Sequence, residues 1–114
     1  MFSISSNDRF YLYSEATDMR KSFDGLSGLV QNKIDANITS GDVFIFLNKR
    51  RTMMKLLKWE RGGFVLFVKR LERGTFRPPE IKDLTSIHLE YTDLVLLIEG
   101  VLVKEYKRQK RYVI

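Results

Sequence analysis

The sequence predicts a single-domain α+β fold: a three-strand antiparallel meander, one long N-terminal helix, a short extra strand and a C-terminal helix. Three observations carry that expectation. The chain has 114 residues and a mass of 13.4 kDa, enough for one domain and too little for two. Met19, Phe23, Leu26, Val30 and Ile34 recur at spacings of three and four, the single apolar stripe of a helix of about four turns. Three strand-length apolar runs then follow one another with connections too short for crossover helices, so the strands they form run antiparallel.

The elements follow in chain order. Arg9 to Tyr13 is aromatic and apolar without a helical period, and reads as a strand. Ser14 to Asp18 is a polar break in which Thr17 or Asp18 is positioned as a helix N-cap. On the side of the helix away from its stripe fall Lys21, Gly25, Gly28 and Asn32. Each glycine costs about 1 kcal/mol against alanine, consistent with a weak helix or with close packing of another chain. Asp35 to Gly41 is a loop, and Val43 to Leu47 a buried strand. A charged connection leads to Met53–Trp59, which suits a strand because Arg61-Gly62-Gly63 is turn chemistry and Phe64–Val68 follows at once. Pro78-Pro79 ends the meander. Ile87 and Leu89 alternate with polar neighbours as a short strand, and Tyr91–Glu99 reads as a helix stopped by Gly100, with Leu94 to Ile98 as a strand the alternative reading. The domain is expected to span residues 1–103, with 104–114 a basic, solvated tail.

Charge is the first clue to function. Twenty Lys and Arg against fourteen Asp and Glu give a net +6, unevenly spread. Residues 1–40 carry net −1, residues 41–80 net +6 and residues 81–114 net +1. In an antiparallel meander the 48–52 connection and the end of the third strand lie at the same end of the sheet. Lys49, Arg50, Arg51, Arg70, Arg73 and Arg77 therefore gather there, with Glu72 the one close acid, and the opposite end holds Arg61 and little else. Clustered cations repel, and a polyanion relieves that repulsion; arginine matches phosphate through its planar donor fork. The alternative is a charged edge that discourages aggregation. The tail residues Lys107, Arg108, Lys110 and Arg111 would extend a phosphate-binding surface.

Catalytic chemistry finds little support in the residues. There are no cysteines, which excludes a disulfide framework, a thiolate zinc site and a cysteine nucleophile together. The one histidine, His88, falls on the polar phase of a short strand, where a surface role is the ordinary reading. No glycine-rich phosphate loop with its lysine is present. Glu80-Ile81-Lys82 matches the Glu-x-Lys end of a metal nuclease site, but it follows two prolines rather than lying on a core strand. Asp18 and Asp24 are six apart, on different sides of a helix. Trp59 reads as core, while Phe76 and Tyr112 sit among basic residues where they are candidates for stacking on bases. No catalytic residue, metal site or cofactor is expected. The apolar runs fall short of the ~20 residues of a membrane helix, and no secretory signal pattern opens the chain; the expectation is a soluble, cytoplasmic protein.

Several blocks together resemble a known family. Thr17-Asp18-Met19-Arg20-Lys21-Ser22-Phe23-Asp24-Gly25-Leu26, Ser40-Gly41 before a Phe-rich strand, Trp59-Glu60-Arg61-Gly62-Gly63 and Phe67-Val68-Lys69-Arg70-Leu71-Glu72-Arg73-Gly74 are similar, in order and spacing, to the accessory protein from the second open reading frame of insertion-sequence-66-type transposons, often called TnpB. The likeness covers about residues 8 to 100, and Ser22 stands where the family more usually has glycine. It implies a protein that assists transposition beside a separate, larger transposase holding the catalytic carboxylates. Asp18, Arg20, Lys21, Asp24, Lys69, Arg70, Glu72 and Arg73 match the family motifs, and no catalytic role transfers onto them. The expected function is a non-enzymatic accessory factor whose partners are transposon-end DNA, the transposase, or both. A protein-only adaptor for the transposase and a small basic ribonuclease are the other two classes.

Overall fold

The computed structural model describes residues 4–100. Its strands are β1 (Phe10–Tyr13), β2 (Val43–Leu47), β3 (Met53–Glu60), β4 (Gly63–Arg70) and β5 (Ser86–Leu89), and its helices are α1 (Phe23–Leu29) and α2 (Tyr91–Glu99). The strands form one mixed sheet in the order β4-β3-β2-β1-β5. β2, β3 and β4 make the expected antiparallel meander, with Ile45 opposite Leu56 and Leu56 opposite Phe67. The sheet then continues beyond the expectation. β1 lies parallel to β2, reached through α1, and β5 pairs antiparallel with β1. Four-residue strands have too little surface to stand apart, so both short strands join the meander to give five strands.

Alternation along the strands divides the core in two. Phe10, Leu12, Val43, Ile45, Leu47, Met54 and Leu56 pack with Leu94 and Leu97 of α2, whereas Tyr13, Phe44, Phe46 and Leu57 pack with Leu26 and Val30. The two helices therefore cover opposite faces. The central strand β2 is buried at all five positions, which explains its unbroken apolar run. The β3–β4 hairpin closes on Arg61 and Gly62, whose φ values of 51° and 85° are both positive, the geometry of a two-residue type I′ turn.

The first helix departs from its expected start. Neither Thr17 nor Asp18 caps it; α1 begins at Phe23, with Ser22 at the N-cap position. The cause lies in residues 18–21, whose polar groups are already engaged. Asp18 Oδ1 accepts the Arg20 backbone N–H (2.9 Å), and the Asp18 carbonyl accepts the Lys21 N–H (3.1 Å). Met19 packs against the α1-side core without being helical, and Phe23 is 43% exposed. Burial thus followed the stripe only in part. Past Leu29 the helix widens into a π-helical turn, Val30–Ile34, which ends at Asp35 in the left-handed region. Gly25 has a local use: a Cβ there would come within 3.1 Å of the Lys21 side-chain stem, which lies against it.

α2 matches its expected span. A capping box closes its first turn, with the Glu90 N–H donating to Asp93 Oδ2 at 3.3 Å, and Gly100 ends it at φ 87°. Lys69 Nζ donates to the Ile98 carbonyl at 2.8 Å, placing a cation at the negative end of the helix. Among the described residues no helix is long and apolar enough to cross a membrane. The expected boundary at 103 and the tail 104–114 lie outside the described residues.

Candidate nucleic-acid interface

The β2–β3 connection is built on Asn48. Its Oδ1 accepts the backbone N–H groups of Thr52 (2.9 Å) and Met53 (3.0 Å), while its own N–H donates to the Met53 carbonyl and its carbonyl accepts from Arg51 (3.0 Å). The turn leaves Lys49 and Arg50 exposed at its tip and holds Arg51 at φ 58°. An asparagine opening a turn is a local sequence signal, but which backbone groups it braces depends on the fold of the turn itself. Replacing Asn48 with alanine strips acceptors from two backbone donors. We expect a loss of about 1–2 kcal/mol in urea unfolding, with Asn48→Asp losing less; an unchanged Asn48→Ala midpoint would remove the brace from the account.

Two further segments converge on this tip. Arg70 lies opposite Met53, the Leu71 N–H donates to the Thr52 carbonyl at 2.8 Å, and the Phe76 N–H donates to the Arg51 carbonyl at 2.7 Å. Residues 70–77 therefore fold over the turn. Phe76 is 1% exposed within the α2-side core. It is an anchor and not a base-stacking ring, because it plugs the apolar core at this end. From the other side the Thr17 N–H donates to the Leu47 carbonyl at 2.8 Å, and Ala16 to Met19 share a shallow depression with Asn48, Lys49 and Arg50.

Lys49, Arg50, Arg51, Arg70, Arg73 and Arg77 are all exposed and occupy one end of the sheet. Arg70 pairs with Glu72 at 2.9 Å; among the described residues, no ion pair engages the other five. Arg20 and Lys21, matched only as motif residues, follow the 16–19 stretch that borders this turn. Arg20 binds Asp18 with two guanidinium nitrogens, and these hydrogen bonds hold the Asp18 carboxyl down at about 2. The loop is tied to the sheet by Lys55, a buried residue whose ammonium donates to the Met19 and Lys21 carbonyls, each at 2.7 Å. Nearby, burial and the bond to Glu15 push the Tyr13 phenol up to about 12. Lys107, Arg108, Lys110, Arg111 and Tyr112 lie outside the described residues.

The opposite end of the sheet holds more than Arg61. Arg9 pairs with Asp42 at 3.1 Å, and the largely buried Lys58 pairs with Asp8 at 3.3 Å. Two of the cations there are paired, while Arg61 is exposed with no ion pair among the described residues, so the opposite end carries fewer unpaired cations than the 48–52 end. The remaining candidates scatter. Asp24 is exposed in the first turn of α1. Glu80 and Lys82 form an exposed ion pair at 3.6 Å outside any strand. His88 is exposed, with its ring edge-on to Tyr11, and the half-buried Trp59 meets Phe64 edge-on at 5.0 Å.

Comparison with known proteins agrees with the motif blocks. The chain is 31% identical over 111 residues to "Uncharacterized protein y4jC" of Sinorhizobium fredii (strain NBRC 101917 / NGR234), an alignment covering 97% of this chain and 92% of that one. It is 30% identical over 101 residues to "Uncharacterized protein y4hO" of the same organism, covering 89% and 87%. No solved structure matches the chain. The profile described as IS66 Orf2 like protein matches residues 8–108, so the basic sheet end, both helices and all five strands fall within its span, and the chain belongs to the IS66 Orf2-like family.

Proposed function

We propose that this chain is a non-enzymatic accessory factor in DNA transposition, binding transposon DNA or the transposase–DNA assembly through phosphates at the basic sheet end. Family membership supports the transposition role. One observation supports the mode: Lys49, Arg50, Arg51, Arg73 and Arg77 are exposed at one sheet end without an ion pair among the described residues, while at the other end Arg9 and Lys58 are paired and Arg61 alone of the three cations there is not. Cations braced by backbone hydrogen bonds and left unneutralised suit a phosphate surface. The exposed loop and turn cations offer no base-reading helix or ribbon, so they position DNA more than they select it.

The test is a binding titration against element-end and unrelated duplexes at several salt concentrations. Phosphate binding gives log affinity falling with log salt at about −0.9 per contact, on both duplexes. A complex with transposase that survives high salt and nuclease, with no DNA shift by this chain, would replace this function with the protein adaptor. Incubation with DNA or RNA and Mg²⁺ or Mn²⁺ should leave both intact. Cleavage abolished by Glu80→Ala or Lys82→Ala would instead make the Glu80–Lys82 pair a nuclease centre.

A further inference from the structure

The two edges of the sheet are unlike. β5 is four residues long, and short edges offer little template for pairing. β4 runs eight residues without proline, and among the described residues no strand pairs with its outer side. Its outward groups follow from one hydrogen bond. The Leu71 N–H donates to Thr52, so odd-numbered residues of this strand turn their backbone groups toward β3. Alternation then directs the N–H and C=O groups of Phe64, Leu66, Val68 and Arg70 away from the sheet. All five residues from Phe64 to Val68 are apolar and none is buried; Val68 is 48% exposed. Edges of this length are ordinarily blunted by charge, proline or a bulge. Here charge arrives only at Lys69 and Arg70, at the far end.

We infer that β4 pairs antiparallel with β4 of a second copy about a two-fold axis at Leu66, joining two five-strand sheets into one of ten. Self-complementarity selects a second copy over an unrelated strand. In this register Leu66 faces Leu66, Phe64 faces Val68 and Val65 faces Phe67, so all five apolar residues are matched. Lys69 and Arg70 then fall opposite Gly63 and Gly62, and no cation of one β4 meets a cation of the other. A shift by two residues in either direction, the smallest that keeps the outward groups paired, leaves only three of the five matched. A surface complementary to itself about a two-fold axis is what an isologous dimer requires. The two Arg70 positions then lie about 26 Å apart along the strands, with the basic ends pointing in opposite directions.

The test uses the full 114-residue chain without DNA, so its outcome is separate from that of phosphate binding. Sedimentation equilibrium from micromolar to millimolar concentration should give twice the 13.4 kDa chain mass. The chain has no cysteine, so Leu66→Cys adds a single thiol about 5.5 Å, Cα to Cα, from its symmetry mate, within disulfide reach. Mild oxidation should convert Leu66→Cys, but not Thr92→Cys on α2, into a covalent dimer. Val68→Pro removes an outward N–H without touching the β3 ladder and should raise the dimer Kd by at least about tenfold. Val68→Lys serves the same purpose if the proline variant fails to fold. A monomer at every concentration, or a dimer indifferent to both Val68 variants, overturns the inference. So does a chain that dimerises only after residues 101–114 are removed, because its own C-terminal segment then occupies the edge.

Discussion

Lys55→Ala should destabilise the fold by about 2–3 kcal/mol, measured by urea or thermal unfolding. Lys55 is 8% exposed on the α1 side of β3, opposite Phe46. Its ammonium crosses to the 18–22 segment and donates to the carbonyls of Met19 and Lys21, both at 2.7 Å. Hydrogen bonds made by a charged group are worth about 1.5–3 kcal/mol each. Alanine abolishes two of them and leaves two acceptors facing an apolar sheet. The expected loss is below the sum because Lys21 and its neighbours lie at the surface, where water can reach part of the freed backbone. Lys55→Met, which keeps the apolar stem, should recover some packing and none of the tether. Limited proteolysis separates the two contributions: both variants should expose residues 18–22 to cleavage sooner than the parent chain. A loss under about 0.5 kcal/mol with unchanged proteolysis would mean that the loop is held by its own turn bonds.

That lysine also marks where sequence reasoning stopped. The strands were legible because each is a short apolar run bounded by turn chemistry, and α2 because Gly100 ends its run where a left-handed residue is needed. The meander was legible because the Arg61-Gly62 turn and the Asn48–Thr52 connection admit only antiparallel neighbours. The N-terminus of α1 was not. Asp18 has a cap's chemistry, but its carboxylate is claimed by Arg20 and the carbonyls beyond it by Lys55. A tertiary contact 34 residues away in sequence outweighed the local signal. The joining of β1 to β2 was hidden for a similar reason: parallel pairing leaves no turn signature, only the crossover that α1 supplies. At the candidate site, the gathering of Lys49, Arg50 and Arg51 with Arg70, Arg73 and Arg77 followed from connectivity alone. Two contributions did not follow from it: Phe76 as an anchor, and the 16–19 stretch as a neighbour of the tip at Lys49 and Arg50. Both depend on packing across the sheet, which no local pattern encodes.

Reversing Arg50 and Arg51 together to glutamate should weaken duplex DNA binding by about 10- to 100-fold near physiological salt, on element-end and random sequences alike. Both side chains are exposed at the tip of the β2–β3 turn, and among the described residues neither has an ion-pair partner to compensate the change. If each binds one phosphate, their reversal should also reduce the magnitude of the salt slope by about 2, close to one unit per contact. The slope separates a contact effect from a folding defect, since a partly unfolded sample loses active fraction without changing its salt dependence. Arg51 adds a second control through its backbone. It holds φ at 58° and its carbonyl accepts from Phe76, so Arg51→Gly should keep the turn while removing the charge. Arg50→Ala with Arg51→Gly should therefore fall between the parent and the double reversal in affinity, at near-parent thermal stability. Removing residues 104–114, which carry Lys107, Arg108, Lys110 and Arg111, should lower affinity further through lost counterion release. Should the double reversal bind both duplexes with parent affinity and slope, the basic sheet end is not the DNA surface, and the protein-only adaptor becomes the better account of what this chain does.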